Sequence, residues 1–209
     1  MDTHMGVSGA YIIRRSTLGH AGLNAIGRGL LLVEESTLCG YSLINFRGDY
    51  GSTWEGDVVI RNCRWIPACG KTCRPQMFHV GNDGTHDFGY DCYMPREITI
   101  DGLYVDDSNH PEDYQGMFFF SNPGGSDPTD SAFPYARCDK LTVRGLTTAR
   151  EKNPRVSPHA QVESHVGRVD EDGVPLPRRH VDRVGVVRIV EREAILRDHQ
   201  LRELVHVHR

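Results

Sequence analysis

Two stretches of the chain concentrate the side chains that could do chemistry. The first runs His79-Val-Gly-Asn-Asp83-Gly-Thr-His86-Asp87-Phe-Gly-Tyr90-Asp91-Cys-Tyr-Met-Pro-Arg96. The second runs Asp106-Asp107-Ser-Asn-His110-Pro-Glu-Asp-Tyr114. Together they supply carboxylates, imidazoles and aromatic rings, the mixture a sugar-binding cleft needs. Hydrolysis of a glycosidic bond uses two carboxyl groups roughly 5–10 Å apart. Elimination beside a uronate instead uses a base, with a cation or metal neutralising the uronate carboxylate. Asp83, Asp87 and Asp107 are the candidate acids, bases or metal ligands, and His86 is an alternative base. Arg96 and Lys71 offer countercharge, Tyr90 a ring on which a sugar can stack, and Asp91 and Asp106 the oxygen ligands calcium prefers. The competing reading of each Asp is a turn residue bonded to its own backbone.

A third stretch, Arg47-Gly-Asp49-Tyr50-Gly-Ser-Thr-Trp54-Glu55, sets two aromatic residues beside opposite charges. It reads as a substrate platform, with Arg47 and Asp49 bonding a sugar and Tyr50 and Trp54 stacking on it. It reads equally as a bend whose Trp packs inward. Cys69, Cys73, His79, His86 and Cys92 have the residue types of a zinc site, and the same cysteines could pair as disulfides in an exported protein. Cys63 reads as a small buried apolar residue.

The elements that would hold these groups come from a repeat. An eight-residue pattern (apolar, any, apolar, charged, any, small or apolar, any, usually apolar) recurs as Tyr11–Leu18, Leu31–Leu38, Val58–Trp65, Ile98–Val105 and Leu141–Thr148, with a shorter copy at Ile44–Asp49. Its period-two opening predicts a short strand with one buried face. The Gly, Asn or polar residue that follows predicts a sharp bend. The starts are 20, 27, 40 and 43 residues apart, which fits stacked turns with two long insertions, roughly 66–96 and 106–139. Insertions after consecutive turns emerge as neighbours, and such loops are where function concentrates. The fourth position reads Arg14, Glu34, Arg61, Asp101, Arg144, so stacked strands would carry an outward ladder of alternating charge about 4.8 Å apart.

The VVIRNCRWI, ITIDGLYVD and LTVRGLTT segments resemble the right-handed parallel β-helix of the pectate-lyase-like superfamily, which includes polysaccharide lyases, glycoside hydrolases and phage tailspikes. The resemblance covers roughly residues 10–149. It implies an all-β solenoid with inserted loops and an extracellular or cell-surface protein that binds, and in its complete form cleaves, a polysaccharide. A non-enzymatic, adhesin-like solenoid that only binds glycan is the alternative. Of the motifs of the pectin-hydrolase members, only the paired Asp106–Asp107 is similar here.

Composition marks a change near residue 150. All seventeen aromatic residues, all six cysteines and nineteen of the twenty-two glycines precede it. We therefore expect coils over 1–150 and a linker with an irregular or partly helical tail or cap over 151–209; the tail's composition also fits translation in a shifted frame, and the whole reads as a fragment of a longer protein. The net charge of −4 argues against a nucleic-acid partner, since phosphate binding wants a basic surface. No apolar run reaches the eighteen or so residues of a membrane span.

Overall fold

The computed structural model describes residues 8–19, 22–46, 54–68, 76–79, 92–93, 95–120, 135–136, 138–157 and 166–172. These form β1 (Ser8–Arg14), β2 (Thr17–Leu18), β3 (Asn24–Ala25), β4 (Gly27–Glu34), β5 (Thr37–Gly40), β6 (Ile44–Phe46), β7 (Trp54–Pro67), β8 (Gln76–His79), β9 (Cys92–Tyr93), β10 (Glu97–Val105), β11 (Phe118–Phe120), β12 (Tyr135–Ala136), β13 (Cys138–Thr148) and β14 (Val166–Asp172). The described residues are all-β, every strand pairing is parallel, and none of these residues is helical. None of their segments is a helix long and apolar enough to cross a membrane. The chain divides into units Met1–Pro177 and Arg178–Arg209; the second, which is the end of the tail expected to be irregular or partly helical, lies outside the described residues.

The five full copies of the repeat become the long strands of one sheet, ordered β1-β4-β7-β10-β13-β14. Tyr11, Leu31, Val58, Ile98 and Leu141 share one row across it. Two positions along, Ile13, Val33, Ile60, Ile100 and Val143 share another and are buried. The strand β14 lies beyond residue 150, where the repeat pattern is no longer legible, and pairs Leu141 with Val169 in the same direction.

A strand that alternated strictly would turn its sixth repeat residue outward. The fifth residue prevents this. Arg15, Glu35, Asn62, Gly102 and Gly145 all take positive φ, between 45° and 78°, which swings the chain so that Ser36, Cys63, Leu103 and Leu146 are buried beneath. Three of the five are not glycine, and a left-handed backbone costs such residues about 1 kcal/mol or more each; the burial that follows offsets it. Cys63 is buried as expected, its thiol donating to Arg61 O at 3.2 Å.

The second sheet runs β11-β8-β6-β3. Phe46, Phe78 and Phe120 stack through it with ring centroids 6.0 and 5.8 Å apart. Asn24, Asn45 and His79 occupy one row, and Asn45 Nδ2 donates to Asn24 Oδ1 at 2.7 Å. A third pair, β9 and β12, completes the set. The core lies between the sheets: Trp54, Trp65, Phe46, Phe78 and Phe120 are fully buried, and each such side chain contributes about 2–3 kcal/mol by leaving water.

Candidate functional site

The second half of β10 ends the ITIDGLYV repeat with Leu103 and Val105 inward and Tyr104 outward. Tyr104 shares a row with Arg64 of β7 and Thr147 of β13, and Arg64 in turn with Thr37 of β5. Tyr104 is 41% exposed, a large ring left in water where threonines flank its row. The Arg64 guanidinium stands 5.7 Å from the ring centroid and reaches Asp106 Oδ2 at 2.5 Å. Ser108 Oγ donates to the other oxygen of Asp106 at 2.6 Å. The Ser108 hydroxyl, and then Arg64, hold the Asp106 carboxyl below its usual range. An aromatic face with a fixed cation and a fixed carboxylate beside it can stack on a sugar ring and bond its hydroxyls.

Beneath this exposed group lies a buried one. β10 ends at Val105, and the two aspartates that follow it have different surroundings. Asp106 faces solvent and Asp107 is fully buried. Asp107 Oδ1 accepts the Arg150 backbone N–H at 2.9 Å. The Arg150 guanidinium donates to His110 O. Asn109 Nδ2 donates to Pro67 O at 2.6 Å, tying this loop to the end of β7. The His110 and Tyr114 rings lie 4.3 Å apart, and both residues are buried. Burial holds the His110 imidazole below its ordinary pKa. Burial first, then the negative charge of Asp107, pushes the Tyr114 hydroxyl far up, so it stays protonated. The hydroxyl faces Asp107, although the contact falls short of hydrogen-bond geometry.

Of the residues singled out from sequence, Arg47, Asp49, Tyr50, Lys71, Asp83, His86, Asp87, Tyr90 and Asp91 lie outside the described residues, as do Cys69 and Cys73. His79 and Cys92 fall in β8 and β9, and four others bear on the site. Trp54 needs correction as a stacking platform: its ring is fully buried and its Nε1 donates to Gly29 O at 3.3 Å, leaving no face for a sugar. Asp107 likewise presents no carboxylate to a polymer, being buried and bonded to Arg150. Arg96 is exposed, with Nη2 and Nε on Asp57 Oδ1 at 3.0 and 3.2 Å. Asp106, offered for calcium, is occupied by Arg64 and Ser108. Among the described residues no group of three or more His, Cys, Asp or Glu side chains is placed to hold a metal ion.

Sequence reading gave no role to Arg64, Tyr104 or Arg150, and counted His110 and Tyr114 only within a stretch rich in chemistry. Tyr104 carried a signal: an aromatic residue at an outward repeat position. Arg150 carried none, because its partners are 40 and 43 residues away. Comparison with protein-family models, curated proteins and solved structures finds no match to this chain.

Proposed function

We propose that the chain is a right-handed parallel β-helix of an extracellular or cell-surface protein that binds an extended polysaccharide across the outward face of its main sheet, centred on Tyr104. The winding is supported by the order of the strands. After β1, β4, β7 and β10 the chain visits the second sheet at β3, β6, β8 and β11 before returning to the main one, as a chain wound about one axis must. The binding reading rests on one observation above the others: Tyr104 is exposed with the Arg64 guanidinium beside it and Asp106 fixing that guanidinium.

The experiment is a binding titration of the folded chain against neutral and uronate-containing polysaccharides. Tyr104→Ala is expected to weaken binding by about tenfold, the size of one lost aromatic contact, with an unchanged urea midpoint. Unaltered affinity in that variant removes the platform and this reading with it. A cleaving activity belongs to Asp83, His86 and Asp87 of the 66–96 insertion. The same incubations read it: ultraviolet absorbance of an unsaturated product marks a lyase, and reducing sugar without that absorbance marks a hydrolase.

A further inference from the structure

Three buried polar atoms beneath the platform lack hydrogen-bond partners among the described residues: Asp107 Oδ2, His110 Nε2 and the Tyr114 hydroxyl. Their residues are 0, 3 and 8% exposed. A buried polar atom without a partner costs about 1–3 kcal/mol, and native interiors carry only a few per hundred residues. Three within eight residues call for a common occupant. The groups are neighbours: the two rings lie 4.3 Å apart, the His110 backbone N–H donates to Asp107 O at 3.1 Å, and the Asp107 carboxylate is near enough to act on the Tyr114 hydroxyl.

Their hydrogen-bonding roles follow from their other contacts. Asn109 Nδ2 donates to Pro67 O at 2.6 Å, which settles which end of that amide is the oxygen. Asn109 Oδ1 therefore faces His110 Nδ1, at 3.2 Å. An oxygen can only accept, so the neutral imidazole carries its proton on Nδ1 and leaves Nε2 as an acceptor. Asp107 Oδ2 is also an acceptor, and the protonated Tyr114 hydroxyl is a donor. The occupant must donate twice and accept once. Water does this, and three partners is the usual complement of a buried water. A cation or an ammonium group has no lone pair for the tyrosine proton, and an apolar group satisfies none of the three.

We infer that Asp107, His110 and Tyr114 enclose a binding site for one internal water, which donates to Asp107 Oδ2 and His110 Nε2 and accepts from Tyr114. Together with Arg150 it makes the loop from Asp106 to Tyr114 a fixed support for Asp106 and Ser108 above. Asp107 is then a positioning residue. The site does not depend on what the platform binds.

Nuclear magnetic resonance of the folded full chain tests it. The His110 ring nitrogens are expected to report the Nδ1–H tautomer, and the His110 and Tyr114 ring protons to show cross-relaxation with a long-lived water. Tyr114→Phe removes the donor and is expected to abolish that cross-relaxation while the tautomer persists. An Nε2–H tautomer, or no long-lived water in the unsubstituted protein, overturns the inference. If Tyr114→Phe fails to fold, a high-resolution crystal structure of the unsubstituted protein decides. Density within hydrogen-bond reach of all three atoms is expected. A direct Tyr114–Asp107 hydrogen bond with nothing between the three groups overturns the site.

Discussion

Asp106 and Asp107 are adjacent in sequence and share no environment. One faces water and is held by Arg64 and Ser108; the other is fully buried on the Arg150 N–H. Burial and partners separate them, so this Asp pair just past the end of β10 is not a paired acid and base. Nearby, His110 makes stability depend on pH. Its folded pKa lies below the ordinary value of 6.5 because burial disfavours the imidazolium; the attraction of Asp107 works the other way, and Arg150 adds repulsion. The unfolded chain therefore binds the proton more readily, so this contribution is complete above about pH 6.5 and is lost as pH falls below it. Urea unfolding is expected to show stability declining from about pH 7 to 5, with the slope reduced in His110→Gln. An identical slope in that variant places the pH dependence elsewhere.

At the scale of elements, the charge ladder is the feature sequence spacing described most fully. Arg14, Glu34, Arg61, Asp101 and Arg144 occupy one row in register, and Asp172 of β14 continues it. Arg14 Nε lies 2.6 Å from Glu34 Oε1, and Arg61 approaches the other Glu34 oxygen at 3.9 Å. Because the arginines are more than a third exposed, each contact contributes only a fraction of a kcal/mol. Reversal is a larger change. Glu34→Lys sets three cations on consecutive strands and is expected to cost about 1–2 kcal/mol, since like charges opposite one another repel by as much as unlike ones attract. Urea midpoints measured at low and high salt check this, and the loss should shrink at high salt. The close approach of β4 and β7 was not legible, because a glycine's sequence context does not show what lies across the sheet. Gly56 has φ of 141°, and a Cβ there would sit 2.1 Å from Gly29 O. Backbone cannot yield as a side-chain tip can. Gly56→Ala is expected to cost about 3 kcal/mol, and a midpoint within error of the parent would contradict the packing.

At the scale of the molecule, stability depends on neighbours in the sheet. A strand paired on both sides opens only when a neighbour lets go, so interior strands are the last to open. β7 and β10 lie inside the main sheet, between β4 and β13. Their amides are expected to be the slowest to exchange with deuterium, slower than those of β1 and β14. Uniform protection across all six strands would mean the sheet opens as one unit. The meeting of Arg64 with Tyr104 is likewise a product of strand register: the two are forty residues apart and meet because Val58 to Trp65 pairs with Ile98 to Val105.

The sequence alone determined which residues face inward, where the chain bends and which charges share a row. Each of these depends on a strand's two-residue alternation or on a conformational preference that travels with the residue itself. Tertiary structure decided that Trp54 is core and not platform, that Asp107 is buried, and that Tyr104 stays in water beside Arg64. Those outcomes depend on what a neighbouring pass of chain lays across each side chain. The approaching backbone, and not the residue's own type, sets the burial and the partners that remain.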